Sequence, residues 1–369
     1  MILVPVARRM LFTDRRRALL GVAGVAIALV MALTLDGIFA GTTRQVSRYI
    51  DTSPADVFVS QEGVRTIHMA ISVVPVAVAD EIRQLPGVDW AEPILFSSDA
   101  LRTPGGRRPS YVIGYEPGGQ GGPQTLVEGR DPDAGEMVID DSAATALDIV
   151  VGDQVEVLGA AWTVSGLTTG MTSIVNTSVY VTFDDLATVL GSPGVASYIL
   201  IGTEGDPGAV ANSIEAAIPG VESQTRTRFS AEERSVVREM STDLLNIMSL
   251  AALLVGLAVI GLVLYATVLS RLREIGVMKA LGLGRIGVSR LVLIQAMWTV
   301  MTAFVLAVAA TFGIGAIVAA VAPDIDVVVE TGSLLRAGIG SIIVAAVGVI
   351  LPVIRVWRVD PATVFRRPS

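Results

Sequence analysis

Four apolar runs, at residues 18–40, 244–269, 290–322 and 334–354, constrain this 369-residue chain more than any other feature. A helix of about 20 residues crosses the roughly 30 Å hydrocarbon core of a bilayer, so each run is long enough to span it. The composition agrees, because 52% hydrophobic and 17% charged residues are too apolar a mixture for a water-soluble domain of this length. The first run exceeds the 7–15 residue core typical of a signal peptide, and no convincing A-x-A site follows it, so it is expected to stay as an anchor. Without cysteine, the parts outside the membrane must fold on their own apolar core, with neither disulfides nor thiolate metal sites. Among 27 basic residues only Lys279 is a lysine, a bias read as genomic.

Charge gives the orientation. The N-terminal tail (Arg8, Arg9, Arg15, Arg16, Arg17), the segment between the second and third runs (Arg271, Arg273, Lys279, Arg285, Arg290) and the C-terminal tail (Arg355, Arg358, Arg366, Arg367) hold 14 basic residues. Only Asp14, Glu274 and Asp360 oppose them, whereas residues 41–242 hold 12 basic and 27 acidic residues. By the positive-inside rule the basic segments are cytoplasmic and 41–242 is extracytoplasmic. The expected layout is a cytoplasmic tail at 1–17, transmembrane helices at 18–40, 243–270, 290–322 and 334–354, and an extracytoplasmic α+β domain with stalk helices at 41–242. A cytoplasmic loop at 271–289, a short outer loop at 323–333 and a cytoplasmic tail at 355–369 complete it.

Within 41–242, the alternation at 55–60 reads as a half-buried strand, 75–85 as a helix stopped by Pro86-Gly87, and 88–96 as a second strand. Residues 207–218 repeat this arrangement, with a helix stopped by Pro219-Gly220 and a strand from Val221. Two β-α-β units of this kind predict a split β-α-β lobe with both helices on one sheet face. Between them, strands at 137–139, 154–157, 162–164 and 179–182, separated by Gly and Asp turns, predict a small β-rich lobe. Gly118 to Pro123 reads as a surface loop, since it lacks the Lys-Ser/Thr ending of a phosphate-binding loop. Ser230-Ala231-Glu232-Glu233 has the capping-box pattern and places a helix start near 231. No proline or glycine interrupts the chain from there to Gly256, so one helix is expected to run from the outer domain into the membrane. Small residues at four-residue spacing (Gly24, Ala28, Ala32; Ala337, Ser341, Ala345) mark candidate helix seams, within the chain or to a second copy. Asp36, Asp243 and Arg336 lie near outer helix ends and read as interfacial residues.

The segment between the second and third runs reads Arg271-Leu272-Arg273-Glu274-Ile275-Gly276-Val277-Met278-Lys279-Ala280-Leu281-Gly282. It resembles the signature of MacB/FtsX-like ABC transporter permeases, close to R-x-R-E-I-G-x-x-[RK]-A-x-G. The C-terminal stretch Pro352, Arg355, Arg358, Asp360-Pro361-Ala362 and Val364-Phe365-Arg366 resembles the ending of the same group. Segments 128–139, 146–155 and 162–166 look like its outer domain. Gln295 stands where the family often has glutamate, so no role for a charge there is transferred. Ile275, Met278 and Leu281 can share one face of a short helix, flanked by Arg271, Arg273, Glu274, Lys279 and Arg285, as apolar anchors inside a charged rim.

The resemblance implies a type VII, mechanotransmitting permease with no catalytic, cofactor-binding or metal site of its own. ATP and Mg would be bound and ATP hydrolysed by a separate cytoplasmic ATPase dimer, docked on the segment from Arg271 to Gly282 and on Arg285. Further implied partners are a second permease chain, identical or related, the lipid bilayer of a bacterial plasma (inner) membrane, and an extracytoplasmic adaptor or hydrolase; no nucleic acid is expected. The expected function is export or extraction of a lipid, lipoprotein, peptide or hydrophobic drug. The rival is regulation of an extracytoplasmic cell-wall hydrolase without transport, which the size of the outer domain disfavours. An ectoenzyme is disfavoured because the single histidine, His68, has no partner motif and reads as a loop or packing residue.

Overall fold

The computed structural model describes residues 15–173, 176–270, 272–280, 284–322 and 324–357. In chain order, α1 (Arg15–Val46) and α2 (Arg48–Thr52) precede β1 (Val57–Gln61), β2 (Val74–Pro75), α3 (Ala77–Ile82), β3 (Val88–Thr103) and β4 (Gly106–Tyr115). There follow β5 (Leu126–Gly129), β6 (Glu136–Asp140), α4 (Asp141–Leu147), β7 (Gln154–Val157), β8 (Ala160–Thr168), β9 (Thr177–Thr182) and α5 (Phe183–Leu190). Next come β10 (Val195–Ala196), β11 (Tyr198–Thr203), α6 (Pro207–Ala217) and β12 (Val221–Thr225). The chain ends in α7 (Arg226–Ser270), α8 (Leu272–Ala280), α9 (Arg285–Val321), α10 (Thr331–Gly348) and α11 (Ile350–Trp357). These elements form two compact units, one of residues 1–41, 241–322 and 326–369, the other of residues 42–240 and 323–325.

The first unit contains four helical segments long and apolar enough to cross a membrane: Leu19–Val46, Asn246–Ser270, Arg285–Val321 and Thr331–Arg355. Helices satisfy their backbone groups internally, which hydrocarbon demands. Val25, Ile260, Leu264, Val292, Ala296 and Val344 are buried together, while Ile27, Leu262, Val305 and Ile317 point outward as lipid-facing side chains should. The small-residue seams face inward within the chain. An added Cβ on Gly24 would lie 2.6 Å from Val259 Cγ1, so only glycine lets α1 and α7 approach this closely. Ala28, Ser341 and Ala345 are likewise buried in this chain's own bundle. The third span begins earlier than hydropathy places it, at Arg285, so part of the expected loop at 271–289 is helix. The fourth breaks at Val349, where Pro352 has no N–H to donate to the Gly348 carbonyl and helix α11 starts anew.

In the second unit, the strands run in the order β12-β1-β11-β3-β4-β9-β6-β8-β5, with β7 paired to β3 and β8. The four strands β12-β1-β11-β3 are antiparallel throughout and belong to two units, β1-α3-β3 and β11-α6-β12, as the duplicated Pro-Gly stops predict. Alternation sorts β1 cleanly. Val57 and Val59 pack with Ile82 of α3 and Ile214 of α6, whereas Phe58 faces the other side and stacks on Phe229 of α7 with ring centroids 5.1 Å apart.

The second lobe grows from the far half of β3. Strand β4 pairs antiparallel with β3 and parallel with β9, and β6 pairs antiparallel with β9 and parallel with β8. Its core includes Leu101, Met137, Ile139, Trp162, Val179 and Leu186. Because β3 serves both lobes, they share one continuous sheet. The capping-box expectation at Ser230 is corrected: α7 already starts at Arg226, and both Ser230 and Glu233 spend their polar groups on distant residues instead.

Candidate coupling site

Helix α8 follows α7 after Arg271 alone, and it contains the motif residues from Arg273 to Ala280. Arg271, Leu281 and Gly282 lie outside the described residues, as do the side chains of Arg273 and Ala280. Ile275 is only 4% exposed and packs with Val268 of α7 and Val288 of α9; Met278 packs against the same cluster. Gly276 is also buried. Ile275 and Met278, two of the three apolar residues expected to meet a partner, thus pack into the bundle, where they seat α8. What α8 presents outward is Glu274 and Val277, the latter 38% exposed, with Lys279 half-buried at the edge. Glu274 and Val277 are three residues apart and share one face, turned away from Ile275. At the start of α9, Arg285 is exposed and Ile286 is 83% exposed. Ile286 is missing from the motif reading; an isoleucine beside an arginine in a basic segment was the signal for it. Trp357 of α11 donates its indole N–H to Ser289 Oγ at 2.9 Å, fixing the end of α11 on the first turn of α9.

Helix α7 is unbroken for 45 residues. Near its start a polar cluster grips it within the α+β unit. Arg234 donates to Ser47 Oγ at 2.7 Å and to the Asp51 carboxylate at 2.5 Å, and Ser230 donates to the other Asp51 oxygen at 2.6 Å. Ser47 adds a bond to Asp51 at 2.8 Å. Burial pushes the Asp51 carboxyl up, but the bonds from Ser230, Ser47 and Arg234 and the guanidinium charge outweigh it and hold the group below its ordinary value. One turn away, the Glu233 carboxylate is 1% exposed and accepts the Ile67 N–H at 2.6 Å. Its other oxygen lies 2.5 Å from His68 Nδ1, so the lone histidine is tied to α7 across 165 residues of sequence. His68 also packs against Tyr111, with ring centroids 4.4 Å apart. Burial, then the charge of Glu233, push the Tyr111 hydroxyl up to about 12.

In the membrane unit, Asp36 of α1 and Arg336 of α10 form an ion pair at 3.0 Å. They border a cavity of about 220 Å³ between α1, α7 and α10, which Asn246, Ser249 and Ser333 also line and which becomes apolar toward Val25, Leu29 and Val344.

The family model for the FtsX-like permease C-terminal region matches residues 246–361, and that for the MacB-like periplasmic core domain matches residues 18–221. An uncharacterized ABC transporter permease of Mycobacterium tuberculosis is 26% identical over 359 residues, covering 96% of this chain and 97% of its own. Another, from Mycobacterium bovis, is 22% identical over 361 residues with the same coverages. The crystal structure of the periplasmic region of MacB from Actinobacillus actinomycetemcomitans overlaps 49% of this chain and 92% of its own, at 13% identity and a TM-score of 0.37. The extracellular domain of the Gram-positive ABC-type transporter YknZ overlaps 46% and 99%, at 14% identity and the same TM-score.

Proposed function

Because this chain belongs to the MacB/FtsX-type permeases of ABC transporters, we propose that it is a mechanical transmission: a separate cytoplasmic ATPase moves α8, and α7 delivers the displacement to the α+β domain outside the cell. In this scheme both termini are cytoplasmic, the membrane is the bacterial plasma membrane, and two permease chains sit on two ATPase subunits that bind ATP and Mg. ATP hydrolysis takes place in that ATPase, and this chain contributes no catalytic group. Glu274, Val277, Lys279 and Arg285 meet the ATPase together with Arg271, Arg273, Ala280, Leu281 and Gly282, and Ile286 adds a second apolar contact. Ile275, Gly276 and Met278 act differently, by locking α8 to the bundle so that a push on Val277 is not absorbed locally.

The observation that supports this reading best is the unbroken α7, gripped at its outer end by Asp51 and Glu233 partners and joined at its inner end to α8. A helix transmits axial displacement because bending it breaks its hydrogen-bond ladder. The load is a lipid, lipoprotein, peptide or hydrophobic drug, taken from the membrane at the cavity beside Asp36 and Arg336. Val277→Asp tests the coupling. It places a buried charge in the docking contact while α8 keeps its seat, so ATPase copurification and ATP-driven efflux from reconstituted vesicles fall together and the permease stays folded. Undiminished copurification and efflux refute it. ATP-dependent binding of a cell-wall hydrolase by the wild-type chain, with no efflux of any amphiphile, would establish the regulatory reading instead.

A further inference from the structure

A concave feature of the α+β unit has no part in the coupling scheme. Between the segment 67–73 and the paired strands β3 and β4 lies a cleft of about 530 Å³, inside the range of about 300–1,000 Å³ that small-molecule sites occupy. Met69, Ile71 and Val73 line the cleft and are 64%, 88% and 50% exposed, with Ala70 exposed beside them, while Ser72 is buried. Gln61 holds Ser72 inward: its N–H donates to Ser72 Oγ at 2.9 Å, and its side-chain oxygen accepts the Val73 N–H at 3.3 Å. Three large apolar side chains exposed together beside a cavity mark a contact surface.

The facing wall is different. Ser97, Ser98 and Tyr111 border the cleft from β3 and β4, and Ser192 also lines it. No aspartate, glutamate, lysine or arginine lines it, although the surrounding domain holds 27 acidic residues. Among the described residues, the titratable groups in the lining are Tyr111, Tyr198 and His68, and His68 is held from behind by Glu233 of α7. A charged ligand group entering here would lose its hydration with no opposite charge to replace it.

We infer that the cleft binds an uncharged amphiphile, its hydrocarbon chain against Met69, Ile71 and Val73 and its ester, amide or hydroxyl groups against the hydroxyls of Ser97, Ser98 and Tyr111. The assignment deepens the transporter reading on which it rests: it supplies a place outside the membrane where extracted cargo is received. That place touches α7 through His68 and Glu233, so displacement of α7 bears directly on the cleft floor.

The test uses the full chain in phosphatidylcholine nanodiscs and two photoactivatable probes with the same sixteen-carbon chain, a monoacylglycerol and a free fatty acid, with labelled peptides mapped by mass spectrometry. The neutral probe is expected to label peptides containing Ile71 and Tyr111, and unlabelled monoacylglycerol to compete. Ile71→Asp and Ser98→Trp, both at exposed positions that leave the fold intact, each lower this capture about tenfold, the loss expected for one buried apolar contact. The fatty acid is captured about tenfold less well. Labelling confined to the membrane helices, equal capture of both probes, or capture unchanged in both variants overturns the assignment, as does cross-linking of Ile71 to a partner protein without lipid capture. Efflux by the wild-type chain without capture at the cleft removes this site and leaves the transporter reading standing. Capture without efflux keeps the site and removes that reading.

Discussion

Replacing Glu233 by leucine removes the one acceptor that holds segment 67–68 to α7. The Ile67 N–H donates to Glu233 at 2.6 Å and His68 Nδ1 lies 2.5 Å from its other oxygen, in a place where the carboxylate is 1% exposed. Leucine leaves a buried backbone N–H without a partner, at about 1–3 kcal/mol, and removes a carboxylate bond worth about 1.5–3 kcal/mol. Part of this is recovered, because leucine brings apolar surface to a site where the carboxylate is 1% exposed, and the net destabilisation is set at about 3 kcal/mol. For a domain of this size about 1 kcal/mol moves Tm by 2–4 °C, so the α+β unit should melt about 6–12 °C lower. Two of the four tryptophans, Trp90 and Trp162, lie in that unit, so intrinsic fluorescence of the purified full chain follows its unfolding. Glu233→Gln keeps an acceptor for the Ile67 N–H and should lose about half as much. A His68→Ala/Glu233→Leu double mutant should lose less than the sum of the singles, since the two side chains contact each other. A Tm within 2 °C of wild type for Glu233→Leu, or strict additivity in the cycle, refutes the claim that this carboxylate ties the segment to α7.

Gly24→Leu drives a side chain into Val259 where an added Cβ already comes within 2.6 Å; overpacking of this kind costs about 1–3 kcal/mol, so a lower melting temperature of the membrane unit in detergent is expected. Asp51 titrates below its ordinary value, so its contribution is complete above the usual carboxylate range and is lost as the pH falls through the lowered folded value. The Asp51→Asn variant should therefore be less stable than wild type at neutral pH and converge with it as the pH falls through that lowered value, read from urea unfolding against pH. Met278→Asp and Val277→Asp should separate seat from contact: the first buries a charge against the bundle and lowers the yield of folded permease, the second leaves folding intact, as monodispersity on gel filtration will report.

Sequence periodicity was enough for the membrane helices and for the duplicated β-α-β lobe, because both depend on local patterns: twenty apolar residues in a row, or a helix stopped by Pro-Gly before a valine-rich strand. Strand β4 escaped it. Arg107, Arg108 and Pro109 disguise its first half, which pairs with β3 along its length, and Arg108 finds its carboxylate partner in Asp324, 216 residues later, at 2.6 Å. The same reason explains Ser230 and Glu233. Read locally they spell a helix cap, yet their partners, Asp51 and Ile67, are more than 160 residues away, so the helix is free to begin at Arg226. In the segment from Arg271 to Gly282 the sequence shows apolar residues but not their facing. Ile275 and Val277 are both apolar, and only the packing of Val268 and Val288 around Ile275 decides which of them turns inward.

The absence of native cysteine makes the decisive measurement direct: a single cysteine at position 277, probed with a membrane-impermeant maleimide in intact spheroplasts and in inverted vesicles. The account predicts labelling in inverted vesicles alone, and protection of that thiol when the partner ATPase is bound. A thiol that reacts from outside intact cells would place α8 on the wrong side of the membrane, where no ATP-driven engine could push it.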